Sequence, residues 1–325
     1  MSQLTRRQFG ALAGTVAAAS IIPVRGRAAE VLKFGHITDE ANTWHLAALE
    51  FARLVDEKTA GEVQVEVYPN SSIGTEREIL EGIPLGIADM TISLDSMAQW
   101  APSIQLMSHL FTFRDAEHVL KFMESPIAAR IEADILANAR LRPITYFLRG
   151  PRYLTSNKPI ETVEDVQGFK LRVPDVPMFI ADWSAIGANP TPMAFAEVFG
   201  ALQQGVVDGQ ENPYALIASA KFYEVQQYLN RTAHVRQAIY VVIGEDRFQS
   251  LEPAYQQAIQ AAADEAQAFE RERFLESEAE LEQFLKEQGM TFVDTDVSGF
   301  KERVKETIPN QFPEFADDIK AIEQL

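Results

Sequence analysis

Alternation of short apolar strands with helices is the feature that most constrains the fold of this chain. A strand pattern begins at Val31, an amphipathic helix is predicted over residues 44–58, and residues 62–68 alternate valines with polar side chains. Further strand patterns occur at residues 88–94 and 169–173. This order predicts an α/β layered fold with a mostly parallel sheet.

Residues 252–288 contain no glycine, and no proline after Pro253, and they are dense in Ala, Glu, Gln and Arg, which favour helix. We predict one long helix; a coiled coil is the alternative, but a sustained Leu or Ile heptad is missing. Residues 115–140 are also predicted to be mainly helical. A strand over residues 143–148 is predicted to end at a Gly-Pro pair, and residues 240–243 form one more short strand pattern.

The first 29 residues differ in composition from the rest of the chain. Arg6 and Arg7 precede an apolar, Ala-rich stretch over residues 9–24, and small residues follow where a signal peptidase would cut. This pattern indicates an export signal, and the segment TRRQF resembles the twin-arginine motif. A membrane anchor is the alternative, but the stretch is shorter than the roughly 20 residues of a spanning helix. We expect export to the periplasm by the twin-arginine route, without membrane insertion.

The formal charge of the chain is −18, and loss of the signal, which carries four arginines and no acid, makes it −22. A surface of this sign repels nucleic acid and anionic lipid, so neither is an expected partner. Any anionic ligand must therefore be held by a local cluster of Arg or Lys. The chain has no cysteine, which excludes disulfides, thiolate metal sites and a cysteine nucleophile.

Motifs typical of enzymes are missing from the sequence. None of the five histidines has a metal-binding spacing, and there is neither a Gly-x-Ser-x-Gly elbow nor a phosphate-binding Gly-rich loop. Carboxylates are abundant, so a catalytic pair of carboxylates for glycoside cleavage remains an alternative, although a solvated acidic surface explains them better. We expect no catalytic residue, no metal and no cofactor.

Arginine is the more informative residue in so acidic a chain. Arg172 lies at the carboxyl end of a predicted strand, where ligands of open α/β sheets bind, and Arg152 lies in a predicted turn. Two guanidinium groups would hold a carboxylate through charge-assisted hydrogen bonds. The alternative is a surface arginine paired with Asp175. Asn212 offers a further amide, or belongs to an ordinary Asx turn, and Phe195 fits the apolar face of a predicted helix, where core packing is its default role.

Four blocks now indicate a family. The blocks are residues 150–157 (GPRYLTSN), 168–174 (GFKLRVP), 189–199 (NPTPMAFAEVF) and 207–213 (VDGQENP), the last followed by KFYEV. Together they resemble signature blocks of the substrate-binding subunits of tripartite ATP-independent periplasmic (TRAP) transporters.

The resemblance implies two α/β lobes, joined by hinge strands and a long hinge-spanning helix, that close over the ligand. Lobe I would comprise residues 30–149 and 238–277, and lobe II residues 150–237 and 278–325.

The same resemblance implies roles for the candidate residues. Arg172 would form the salt bridge to the substrate carboxylate, Arg152 would assist it, Asn212 would hydrogen-bond the same group, and Phe195 would line the pocket. His36, Glu76 and Asp95 lie where the family recognises the rest of the ligand, with a turn or cap role as the alternative for each.

The function implied is capture of a small organic acid, most simply a hexuronate or aldonate, and its delivery to a sodium-coupled TRAP permease by a monomeric protein. C4-dicarboxylates, sialic acid and ectoine-like solutes are alternative ligands. An exported sugar-acid hydrolase or lyase and a sensor subunit are alternative functions.

Overall fold

The computed structural model describes residues 29–325, so the predicted export signal lies, but for its last residue, outside the described residues. The strands are β1 Glu30–Gly35, β2 Val63–Tyr68, β3 Met90–Ser93, β4 Leu141–Ser156, β5 Lys170–Val173, β6 Asn189–Pro192, β7 Gly209–Asn212, β8 Tyr228–Gly244 and β9 Thr291–Val293. The helices are α1 Thr43–Lys58, α2 Glu76–Gly82, α3 Ala116–Met123, α4 Pro126–Asp134, α5 Pro177–Ile186, α6 Val198–Gln203, α7 Tyr214–Ser219, α8 Glu245–Ser250, α9 Pro253–Glu287, α10 Ser298–Val304, α11 Thr307–Gln311 and α12 Ala316–Glu323.

The nine strands within residues 29–325 form one mixed sheet in the order β2-β1-β3-β8-β4-β7-β5-β6, with β9 beside β8. Both ends of the sheet are parallel, as predicted, since β1 pairs with β2 and β3, and β5 pairs with β6 and β7. At the centre, β8 pairs antiparallel with β3 and β4, and β4 pairs antiparallel with β7, while β9 pairs parallel with β8. The predicted parallel pairing therefore holds at both ends and for β9, and the long central strands are antiparallel.

The predicted helices are confirmed where their sequence signals are strong. Helix α1 is capped by Asn42, whose side chain accepts a hydrogen bond from the N–H of Trp44, and its apolar face, including Phe51, is buried. Helix α9 is continuous over 35 residues, about 50 Å long, and packs along α1 and β4.

Two strand predictions were wrong in extent. Gly150 and Pro151 do not end a strand, because β4 continues through them to Ser156. Residues 240–243 are not a separate strand but the end of β8. Arg149 pairs with Gln237 while Arg152 pairs with Val235, so β4 carries one extra residue at the Gly-Pro pair. Such a bulge accommodates a proline, which has no N–H to donate to the neighbouring strand.

The C-terminal helix α12 packs against α3 and α4. The His118 ring lies 2.7 Å from the carbonyl oxygen of Ile322, and Arg130 forms an ion pair with Asp318 at 2.5 Å. This end of the chain thus contacts residues assigned above to lobe I, and the exact lobe boundaries stay a prediction. None of the helices between residues 29 and 325 combines the length and apolar composition needed to cross a membrane.

Candidate functional site

A cavity of about 310 Å³ lies between the two parallel ends of the sheet, at the carboxyl ends of their strands. This is the position expected for a ligand in an open α/β sheet, and the volume lies at the lower end for small-molecule pockets. Six of the seven residues predicted from the sequence line it, and His36 does not. We call one side the arginine wall (Arg152, Arg172, Phe195 and Asn212) and the other the acidic wall (Thr75, Glu76, Asp95, Ser96 and Gln99).

Arg172 is the central residue of the arginine wall. It lies near the end of β5 and is 4% exposed, and its Nε and Nη2 donate to the carbonyl oxygen of Met193 at 3.1 and 2.7 Å. Burial lowers its pKa to about 10, so it remains a cation at neutral pH. No acidic side chain among residues 29–325 lies within 4.0 Å of it, and Asp175, the alternative partner, lies 3.7 Å from Arg77 instead. Arg172 is thus a buried positive charge able to accept an anion.

Arg152 is already paired within the protein. It lies in β4 rather than in the predicted turn; its Nε contacts Glu211 Oε2, and its Nη2 donates to Glu211 Oε1 at 2.6 Å. Burial opposes ionisation of Glu211, but Arg152 and the His234 ring, 2.9 Å away, outweigh it and lower the pKa of Glu211 to about 2. Nη1 of Arg152 has no hydrogen-bond partner among the described residues. The arginine wall therefore keeps one surplus positive charge, that of Arg172.

Asn212 and Phe195 complete the arginine wall. Asn212 belongs to β7, paired with Tyr153, so the Asx-turn alternative is wrong; its amide donates to Gln210 at 2.6 Å. Phe195 begins a short 3-10 turn and is half-buried, and its ring packs edge-on against Phe222 at 5.7 Å. Phe195 thus contacts the core with one part of its surface and lines the cavity with another.

Glu76 is the first residue of α2, and it lines the acidic wall. Its Oε1 accepts a hydrogen bond from the hydroxyl of Ser93 at 2.6 Å. Burial raises the pKa of Glu76, opposed by the Ser93 hydrogen bond and assisted by the nearby charge of Asp95. A carboxyl in this setting accepts hydrogen bonds from ligand hydroxyls and disfavours a second anion.

Asp95 makes its contacts within the protein. It accepts hydrogen bonds from Ser108 at 2.8 Å and Gln237 at 3.2 Å, and it forms an ion pair with Arg149 at 3.1 Å. Arg149 also lines the cavity, and the sequence prediction missed it. Its charge is offset by Asp95, so together with Glu76 this side of the cavity has no surplus positive charge.

His36 lies in the core rather than at the cavity. Its Nε2 is 3.0 Å from His45 Nδ1, and its Nδ1 is 3.0 Å from the Thr38 hydroxyl. Burial, and secondarily His45, lower its pKa to about 3, so the ring is neutral. The expectation that His36 contacts the ligand finds no support in this placement.

The two walls thus differ in charge, with a surplus cation on one side and hydrogen-bonding carboxyls on the other. Within residues 29–325, no group of three or more His, Cys, Asp or Glu side chains is arranged to hold a metal ion.

Comparison with known proteins gives consistent matches. Residues 34–314 match the family model described as bacterial extracellular solute-binding protein, family 7. The crystal structure of a TRAP periplasmic solute-binding protein from Roseobacter denitrificans, with bound L-galactonate, superposes with a TM-score of 0.88 at 44% identity, covering 90% of this chain and 98% of that one. A Polaromonas protein of the same kind, bound to D-erythronate, gives 0.87 at 31% identity, covering 91% and 99%. The 2,3-diketo-L-gulonate-binding periplasmic protein YiaO of Escherichia coli is 33% identical over 305 residues, 92% of this chain and 93% of its own.

These matches confirm the two-lobed fold and the resemblance noted in the sequence, and they set aside the hydrolase or lyase alternative, because the matched proteins are solute-binding subunits of transporters. The chain belongs to family 7 of the bacterial extracellular solute-binding proteins, the substrate-binding subunits of TRAP transporters.

Proposed function

We propose that the mature protein captures a polyhydroxylated monocarboxylic acid, such as an aldonate or hexuronate, and delivers it to a sodium-coupled TRAP permease. Arg172 holds the carboxylate, while Arg152 and Asn212 add hydrogen bonds and Phe195 packs against the ligand. The observation that carries this proposal is the buried guanidinium of Arg172, which has no acidic partner among residues 29–325.

The state of each arginine supports this division of roles. Two nitrogens of Arg172 donate to one carbonyl oxygen, and no acidic side chain in the described part of the chain pairs with it. A guanidinium donates two parallel hydrogen bonds to a carboxylate, and the ion pair is strong where water is excluded. Arg152 is fixed by Glu211 and contributes through Nη1 alone.

The charge of the cavity favours one carboxylate over two. A ligand carboxylate at the arginine wall offsets the surplus cation, whereas a second carboxylate at the other end would meet Glu76 and the Arg149–Asp95 pair, which carry no surplus positive charge. Sugar monoacids also supply hydroxyls that can donate hydrogen bonds to Glu76. L-galactonate, D-erythronate and 2,3-diketo-L-gulonate, the acids named for the related proteins, share this chemistry.

Release to the permease requires the cleft to open and close. The strands β4 and β8 and the helix α9 connect the two ends of the sheet, so bending within them would move the walls relative to each other. We place the moving bodies at the lobe boundaries given above and expect a monomer that reaches the periplasm through its twin-arginine signal.

The test is calorimetric titration and thermal melting of the mature protein with L-galactonate, D-galacturonate, succinate and sialic acid. A ligand that binds only the folded state raises the melting temperature. Wild-type protein should bind a sugar monoacid. Arg172→Ala should weaken binding about 100-fold or more. Arg172→Lys should weaken it about 10-fold, because lysine keeps the charge but lacks the two parallel N–H donors of a guanidinium.

Arg53→Ala is the matched control, because Arg53 is exposed on α1 and, within residues 29–325, pairs only with Glu50 and Glu57 of its own helix. It should leave affinity unchanged. Absence of binding to every acid, or full affinity in Arg172→Ala, would refute carboxylate capture at this site.

A further inference from the structure

We propose that Arg149 is a specificity-determining residue that donates hydrogen bonds to the hydroxylated end of the ligand, opposite the carboxylate. The inference rests on the proposed function and adds a third arginine to the site, with a role distinct from those of Arg152 and Arg172.

The bulge in β4 is what brings Arg149 to the cavity. Side chains alternate faces along a strand, so residues three apart, such as Arg149 and Arg152, normally point to opposite sides. On β8 their partners Gln237 and Val235 are two residues apart and share a face. The extra residue at the Gly-Pro pair therefore places both arginines on one face, and both line the cavity.

Arg149 is held firmly but is only partly satisfied. Its Nη1 donates to Asp95 at 3.1 Å and to Gln237 at 3.0 Å, and its guanidinium lies 5.9 Å from the ring centre of Trp44. The side chain is 6% exposed, yet Nε has no hydrogen-bond partner among the described residues. Buried donors of this kind usually have a partner, so a ligand oxygen is the natural acceptor.

The neighbours of Arg149 decide what that oxygen belongs to. Because Asp95 already offsets the charge of Arg149, and Glu76 lines the same side, a ligand carboxylate is disfavoured here. A hydroxyl fits, since it accepts from Arg149 with its oxygen and donates with its proton to a carboxyl such as Glu76. Arg149 and Glu76 together thus match a chain of hydroxylated carbons.

The experiment compares two acids that share the carboxylate but differ in length, L-galactonate with six carbons and D-glycerate with three. Dissociation constants are measured by calorimetry for wild type, Arg149→Lys, and the double variant Arg149→Met with Asp95→Asn. The double variant removes both charges together, because Arg149→Met alone would leave Asp95 buried without its cation. Arg142→Lys is the control, since Arg142 lies in the same strand, pairs with Glu245 and stacks on an aromatic ring, but does not line the cavity.

We expect Arg149→Lys to weaken L-galactonate binding about 10-fold and the double variant about 100-fold, with D-glycerate changed by less than about 3-fold in both. The control should change neither acid. Equal losses for both acids would show that Arg149 only supports the structure and would overturn the inference, as would unchanged L-galactonate binding. If wild type binds neither acid, the proposed function fails first and the inference fails with it.

Discussion

Replacing Glu270 by glutamine should stabilise the protein at alkaline pH and change it little near pH 5. Glu270 is fully buried on the face of α9 that packs on β4. Its Oε2 accepts the N–H of Leu148 at 2.9 Å, and Oε1 has no partner within the described part of the chain. Glutamine keeps the shape and the acceptor oxygen but cannot ionise.

The magnitude follows from the pKa. Burial raises the pKa of Glu270 from 4.5 to about 8, against the smaller opposing effects of the Leu148 N–H and of Arg271. Between these values the folded state keeps a proton that the unfolded state has lost, so the free energy of unfolding falls as pH rises, by about 1.4 kcal/mol per pH unit. The full difference amounts to roughly 5 kcal/mol, and water entry beside the ionised carboxylate reduces the expected gain to about 2–4 kcal/mol above pH 8.

Urea unfolding of wild type and Glu270→Gln at about pH 5 and about pH 8.5 measures this difference directly. Glu278, which faces Gly150 from the same helix and whose pKa burial raises to about 7, adds to the pH dependence of both proteins and cancels in the comparison. Glu272→Gln, an exposed position on α9, is the control and should differ from wild type by less than about 0.5 kcal/mol at either pH. A gain of equal size at both pH values, or a loss at pH 8.5, would refute the assignment of a buried ionisable carboxyl.

Three further predictions concern the sheet, the ligand and export. Gly209→Ala should destabilise the protein by about 3 kcal/mol or more in thermal melting, because the new Cβ would lie 2.1 Å from a backbone oxygen of β4. Gly200→Ala in α6, where a Cβ meets open space, is the control and should be neutral or slightly stabilising. Equal melting temperatures of the two variants would contradict this prediction. In calorimetric titrations, wild type should bind galactonate at least about 10-fold more tightly than the dicarboxylate galactarate. Glu76→Gln should reduce the ratio of the two dissociation constants, because it removes the carboxyl that faces the second carboxylate. An unchanged ratio would show that Glu76 does not exclude the second carboxylate. Arg6→Lys with Arg7→Lys should leave unprocessed precursor in the cytoplasm on immunoblots, and normal processing would point to another route.

The sequence was most informative where the structure is local. Helix α1 follows from its apolar periodicity, and α9 from 35 residues without an interior glycine or proline. The placement of Arg172 followed from a strand end, because the carboxyl ends of parallel strands meet at one edge of the sheet. These signals depend on neighbours in the chain, and such neighbours are visible in a single sequence.

The sequence was less informative where structure depends on distant pairing. The continuity of β4 through Gly150 and Pro151 results from its pairing with β8, some 80 residues later, and the local composition indicates a turn. Arg149 was missed for the same reason, since only the bulge turns it toward the cavity. The expectation that His36 contacts the ligand rested on its position after a strand, and that pattern does not distinguish a loop histidine from a core histidine. The structure places its ring within hydrogen-bond distance of His45 and Thr38.

Glu211 shows why counting arginines alone overstates the positive charge of such a site. Three buried arginines without acidic partners would be very costly to desolvate. Asp95 and Glu211 each neutralise one, and Arg172 alone has no acidic partner among residues 29–325. In the proposed function, a ligand with a single carboxylate offsets the charge of Arg172 when it binds, inside a chain whose overall charge repels anions. Each of the two paired arginines keeps one N–H group without a partner in the described residues, so it can add a directional hydrogen bond without adding charge. The proposed function thereby separates recognition of the acid from recognition of the rest of the ligand.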